Sequence, residues 1–229
     1  HEQLDKLPHA YAIINPKRKD NTYPFRGLAG VGVVFKLIQA LSIKLGLDEK
    51  EYLKFLDIVC IGTISDIVPL VDENRVISKL GLKLVKVTKN IGLRELIKET
   101  GYKNIDSTMV SFGIAPRINA CGRMGKQEEA LRLFLTESKE EASKITKRLN
   151  TYNLQRQEKE KIIFEQSMKE LEKENLEELN SIVLAGENWH HGVIGIVASR
   201  ISEKFFKPTI LIGIEENEGK GSGRSIPGF

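Results

Sequence analysis

The apolar positions of the chain recur mostly at three- and four-residue intervals, with a few short runs that read as strands. Ala10–Asn15 is a compact apolar run ended by Pro16 and the basic Lys17, Arg18 and Lys19, which predicts a short buried strand. From Gly27 to about Leu45, Val34, Leu37, Ile38, Leu41 and Leu45 fall on one helical stripe, with Gly46 placed to end it. Further helices are expected at about Glu51–Ile61, Glu73–Val87 and Gly92–Glu99. Thr108–Ile114 leads into a breaker- and cation-rich turn, Pro116 to Gly125, and a helix over Gln127–Leu135 follows.

Ser138 with Glu141 three residues on is a capping-box pattern. From there to about Glu178 there is neither Gly nor Pro, and charges of both signs are dense. A continuous helix of that length would run ~60 Å at ~1.5 Å per residue. It reads as a connector between two lobes, with the domain boundary inside it. Beyond it, Ser181–Ala185 as a strand, a helix over about Val193–Phe206 and a strand over Thr209–Ile214 make a β-loop-α-β unit. Such a unit has parallel strands, a right-handed crossover and a ligand-facing end near Trp189-His190-His191.

Composition narrows the class. With 229 residues, 41% of them hydrophobic and 29% charged, the chain can build one large or two modest cores under a solvated surface. Its apolar runs are too short to cross a bilayer. A net charge of +4 is compatible with a polyanionic partner without requiring one. Cys60 and Cys121, the two cysteines, lack metal-ligand spacing and read as buried thiols in a reducing cytoplasm. The start at His1 rather than Met, without a secretory segment, reads as a piece of a longer polypeptide cut at both ends.

Four stretches hold candidate chemistry, each with a plain alternative. Asp66, among the apolar residues of Gly62–Leu70, is expected to be buried, and therefore either bound to a cation or satisfied as a helix N-cap. Arg117, Asn119 and Arg123 stand on what looks like a glycine-rich turn, suited to phosphate oxygens or to surface carboxylates. Trp189-His190-His191-Gly192 precedes a helix whose start favours an anion, although adjacent histidines are as often structural. Lys220-Gly221-Ser222-Gly223-Arg224-Ser225 suits a terminal phosphate or is a flexible loop.

Taken in order, these blocks resemble one family. His1-Glu2, Asn15–Arg18, Tyr23–Gly32, Ser65–Leu70, Ala115–Met124, Trp189–Arg200 and Gly221–Phe229 together resemble the single-stranded-DNA exonuclease branch of the DHH/DHHA1 phosphoesterases. The resemblance implies an α/β fold: the C-terminal part of a DHH domain with a parallel sheet over 1–137, a connecting helix over 138–179, and a truncated DHHA1 domain over 180–229. It implies His1 as a catalytic or phosphate contact and metal ligand, and Asp66 as a ligand in a two-metal Mn²⁺ or Mg²⁺ site otherwise built by residues outside this sequence. Arg117, Asn119 and Arg123 would face the scissile phosphate, His190 and Gly192 would contact substrate, and Ser222, Gly223 and Arg224 would hold a 5′-terminal phosphate. His191 receives no role.

The implied activity is metal-dependent 5′→3′ hydrolysis of single-stranded DNA in repair and recombination by a cytoplasmic monomer, with this segment alone inactive. Single-strand-binding protein and a helicase are the implied partners. The rival readings are a nano-RNase, cyclic-dinucleotide phosphodiesterase or family II pyrophosphatase of the same superfamily, and a catalytically silent DNA-binding scaffold of replication.

Overall fold

The structure, a computed structural model, describes residues 7–229. Its elements are α1 (Gly30–Lys44), α2 (Lys50–Leu53), α3 (Leu56–Ser65), α4 (Asp72–Val85), α5 (Ile91–Thr100), a π-helical turn over Met109–Ile114, α6 (Ala115–Arg123), α7 (Gln127–Leu135), α8 (Lys139–Leu171), β1 (Ile182–Glu187), α9 (His191–Phe205), β2 (Thr209–Glu215) and β3 (Glu218–Arg224). Packing divides the chain into two units. One is the segment up to Pro116 with Phe134–Ser143; the other is Arg117–Leu133 with Lys144–Phe229. The division thus crosses the chain beside Pro116, inside α7 and again inside α8. Among the described residues no helix is long and apolar enough to cross a membrane.

Among the described residues the regular elements of the first unit are all helices, and the segment before Gly30 is irregular. Phe35, Tyr52, Leu56, Val59 and Ile77 form a core cluster joining α1 to α4. The Phe35 and Tyr52 rings meet edge to face at 6.0 Å, a geometry that suits the aromatic quadrupole. Gly46, at φ +66°, supplies the left-handed turn that ends α1, as its sequence position suggests. α3 is buried along most of its length, including Asp57, whose carboxylate accepts from Thr88 Oγ1 at 2.5 Å. The helix expected over Glu51–Ile61 is split into α2 and α3 by a turn at Lys54 and Phe55.

One expectation needs correction here. Ala10–Asn15 is not a strand, and the first unit has no sheet among the described residues. A strand is stable only when its N–H and C=O groups find a ladder, and among the described residues no partner segment lies alongside. Tyr11 and Ile14 are instead exposed, and the Ile13 carbonyl accepts from Arg18 Nη1 at 2.9 Å.

The second unit carries the α/β character. β1 and β2 pair in parallel from Ile182↔Thr209 to Glu187↔Ile214, with α9 as the crossover, as the β-loop-α-β pattern predicts. β3 adds antiparallel to β2, from Thr209↔Arg224 to Glu215↔Glu218, so the sheet is mixed rather than parallel throughout. The core under α9 contains Trp189, Val193, Ile194, Val197, Ile201 and Leu211. α8, at 33 residues and about 50 Å, is shorter than the pattern suggests because it stops at Leu171. Its start forms half of a capping box. Ser138 Oγ accepts from Glu141 N at 3.2 Å, while the Glu141 carboxylate accepts from Thr136 Oγ1.

Candidate nucleic-acid interface

Among the described residues, no group of three His, Cys, Asp or Glu side chains is placed to hold a metal ion. His1 lies outside the described residues. Asp66 is present but not as expected: it is exposed, and it caps the C-terminal end of α3 rather than an N-terminal one. The apolar run around it belongs to the buried faces of α3, and the helix ends just as the chain reaches solvent. Its backbone N–H donates to the Gly62 carbonyl at 3.0 Å. Ile67 follows at φ +56°, a strained conformation for a β-branched residue. A carboxylate at the negative end of a helix is held against the macrodipole and gains from a nearby cation.

The stretch from Ala115 is a helix, not a glycine-rich turn. α6 continues without a break from the π-helical turn Met109–Ile114, whose widened hydrogen-bond ladder accommodates the missing N–H of Pro116, and Gly125 at φ +69° follows its end. Helical geometry then sorts the three candidates. Asn119 and Arg123, four residues apart, share a face. Arg117 lies on another, and its Nε donates to Asn150 Oδ1 on α8 at 3.1 Å. Cys121 is buried between them; burial, then Glu129, pushes its thiol up to about 11, so it stays protonated. Burial, then Asp57, likewise pushes Cys60 up to about 12.

Arg123 reaches the start of α9, where its Nη1 donates to the Gly192 carbonyl at 3.1 Å. A Cβ at Gly192 would fall inside contact distance of the Arg123 carbonyl oxygen, so glycine is what lets α6 end against α9. Arg123 keeps solvent contact, but packed atoms displace much of its hydration. That desolvation, then the charges of Arg156 and Arg224, hold its pKa below the usual arginine range against the opposing pull of Glu160. Repulsion among these cations makes the face favourable for an anion.

Ser222, Gly223 and Arg224 stand on β3, not on a flexible loop. Alternating hydrogen bonds to β2 fix their register, Leu211 opposite Ser222 and Thr209 opposite Arg224. Arg224 Nε donates to Ser199 Oγ at 3.1 Å, and its Nη1 donates to Ser222 Oγ at 3.1 Å and to the Gly223 carbonyl at 2.7 Å. An added Cβ at Gly195 would lie 2.8 Å from Ser222 Oγ and 2.9 Å from Arg224 Nη2. The missing side chain on α9 therefore makes the room in which serine and arginine sit.

His190 caps α9: its Nδ1 accepts from Gly192 N at 3.1 Å. Desolvation, then Lys159, lowers its pKa; Glu215 opposes this and His191 adds to it. The ring is thereby kept neutral with its proton on Nε2. His191 turns the other way, with Nε2 3.3 Å from the Gly213 carbonyl. The adjacent histidines therefore point apart.

Sequence reading passed over α8. Glu160 accepts from Arg156 Nη1 at 2.6 Å and from Arg200 Nη1 at 2.9 Å, and the Arg200 guanidinium stacks 4.2 Å over the Phe164 ring. The signal was available as Asn153, Arg156 and Glu160 at three- and four-residue spacing on a charged helix.

Comparison with known proteins gives one consistent result. No family model matches the chain. The single-stranded-DNA-specific exonuclease RecJ of Bacillus subtilis (strain 168) is 42% identical over 233 residues, covering 100% of this chain and 29% of its own length. The protein of the same name from Escherichia coli (strain K12) is 33% identical over 241 residues, covering 98% and 42%. A crystal structure of exonuclease RecJ bound to manganese matches with a TM-score of 0.84 at 36% identity, over 100% of this chain and 56% of that one. RecJ from Thermus thermophilus in complex with Mg²⁺ matches with a TM-score of 0.78 at 36% identity, over 91% and 32%. The chain spans less than half the length of these sequence relatives.

Proposed function

We propose that this chain, RecJ-like over its whole length, works within a metal-dependent exonuclease that hydrolyses single-stranded DNA from its 5′ end, in the manner expected for DNA repair and recombination. The observation that carries the reading is the convergence of Ser222, Arg224 and Arg123 on the first turns of α9. Together they offer a phosphate a hydroxyl and those guanidinium N–H groups not committed to Gly192, Ser199, Ser222 and Gly223.

The division of labour follows from the chemistry of each group. Ser222 and Arg224 hold the 5′-terminal phosphate, with Gly223 keeping the strand flat beneath it. Arg123, with Asn119 on its face of α6, stabilises charge as it builds on the non-bridging oxygens of the scissile phosphate. Arg117, held against α8 by its Nε bond to Asn150, faces the scissile phosphate with them. His190, with Nδ1 committed to its cap, offers Nε2–H to the strand, and Gly192 admits Arg123 to the helix start.

Asp66 fits a hard cation in chemistry, being an exposed carboxylate at a helix end where backbone carbonyls also point. It would supply one ligand. A bound Mg²⁺ or Mn²⁺ pair would supply an activated water and clamp the phosphate. A fixed grip on the terminal phosphate sets which bond is presented for cutting, and so gives direction. Single-strand-binding protein and a helicase are partners that would deliver such a strand.

The test is a nuclease assay on the full-length polypeptide that contains this chain. Terminally labelled single strands should be shortened one nucleotide at a time when Mn²⁺ or Mg²⁺ is added and left intact under chelation, with duplexes spared. Turnover confined to dinucleotides or cyclic dinucleotides would transfer the chain to the small-substrate branch, and binding without metal-stimulated cutting would make it a scaffold.

A further inference from the structure

A cavity of about 290 Å³ opens in the second unit between α8 and the β1–α9 loop, apart from the Ser222–Arg224 cluster. Lys159 and Ile162 from the helix line it, with Glu187, Asn188 and His190 from the loop. Trp189 anchors the loop, being 3% exposed with its Nε1 donating to Gln166 Oε1 on α8 at 2.6 Å. The cavity is thus shaped by a fixed contact rather than by mobile side chains.

Its lining is mixed in an informative way. Ile162 is left 46% exposed on the wall, a large apolar face without cover among the described residues. Two of the lining side chains carry donors: Lys159 its ammonium, and His190 the Nε2–H that it retains because Nδ1 accepts from Gly192. Glu187 supplies a carboxylate acceptor and Asn188 an amide. A phosphate alone would be repelled by Glu187 and would leave Ile162 in water. An alkyl chain would strand Lys159, His190 and Glu187. A nucleobase satisfies all of them, since it has a flat apolar face and an edge carrying both donors and acceptors.

We propose that this cavity receives one unstacked base of the single strand, its face against Ile162 and its edge against Lys159, His190 and Glu187. The inference rests on the single-strand reading above and deepens it. His190 caps α9 while Gly195, five residues on, abuts Ser222 and Arg224, an axial separation of about 7 Å. That is the scale of one nucleotide, so the base belongs to the first few residues from the 5′ end. The site adds affinity without base identity, because Lys159 and Asn188 are adaptable partners.

The experiment measures binding of the full-length polypeptide, under chelation, to 5′-phosphorylated oligonucleotides carrying one abasic residue at successive positions. One position among the first three is expected to weaken binding about tenfold, in the range of a lost base contact, with later positions weaker in effect. Ile162→Asp should weaken binding of the intact strand by about the same factor, should not weaken the strand abasic at that position any further, and should leave the preference for a 5′-phosphate unchanged. Ile162→Ser, a milder change at a half-exposed position, should give the same pattern in smaller measure. The pocket is overturned if every abasic strand binds like the intact one, if the Ile162 variants bind like wild type, or if the variant and abasic losses multiply. Wild-type protein that holds no single strand at all would overturn the exonuclease reading as well, which separates the two failures.

Discussion

Arg123 and Gly192, 69 residues apart in sequence, are joined by a hydrogen bond of 3.1 Å from the guanidinium to the carbonyl. The bond orients one edge of the fork and leaves the remaining N–H groups for an anion. Arg123→Ala should therefore lower kcat of strand hydrolysis by about 10²–10³, the usual cost of removing one oxyanion donor. Lysine should not rescue it, because a single ammonium cannot serve the Gly192 carbonyl and a phosphate together. A loss below tenfold in steady-state kinetics would take Arg123 out of the reaction.

His190 gives a pH signature. Its pKa is lowered in the fold, so the native state binds fewer protons than the unfolded chain as pH falls. Its stabilising contribution is complete above the ordinary value of 6.5 and is lost as pH drops through the depressed one. Protonation of Nδ1 also removes the acceptor for Gly192 N. His190→Asn keeps a capping oxygen that does not titrate. Thermal unfolding from pH 8 to pH 5 should show wild type losing about 1 kcal/mol relative to the asparagine variant, the worth of a cap. Parallel curves would refute the capping role.

Arg224 tests the phosphate grip. Because it is held by Ser199, Ser222 and the Gly223 carbonyl, its removal should be local and leave the sheet register intact. Arg224→Ala should erase most of the preference for a 5′-phosphorylated over a 5′-hydroxyl end, a charge-assisted contact of about 1.5–3 kcal/mol. Competition binding with the two ends measures it, and an undiminished preference would count against the assignment.

What the sequence disclosed depended on how local the information was. The helix predicted around Val34 to Leu45, the Ser138 cap and the β1–α9–β2 order are set by neighbours in the chain and emerge as expected, although Val34, Leu37, Leu41 and Leu45 stay exposed while Phe35 enters the core. Pro116 and the glycines around Arg123 misled, since a proline carried by a π-helical turn and glycines near a helix end look from composition like a loop. Gly221 and Gly223 did the same for β3, whose residues are strand only because β2 offers a ladder. Asp66 was misplaced for a related reason: apolar neighbours in sequence face the core of α3 while the aspartate itself, at the helix end, faces water. The arginine–glutamate set on α8 was hidden by its setting, a long charged helix on which any pair looks like a solvated face.

The position of Asp66 makes stability and activity respond in opposite directions. An exposed carboxylate at the C-terminal end of α3 opposes the helix macrodipole, so losing its charge relieves a repulsion of about 0.3–1 kcal/mol. Asp66→Asn should thus match or slightly exceed wild type in chemical denaturation without metal. If the carboxylate serves a cation in the reaction, the same variant should lose hydrolysis by several orders of magnitude while still binding single strands. Added Mn²⁺ should raise the melting temperature of wild type more than that of the variant, because an ion that binds only the native state stabilises it. A merely structural aspartate would behave in the reverse way, with the variant less stable and its residual activity falling only in step with the folded fraction.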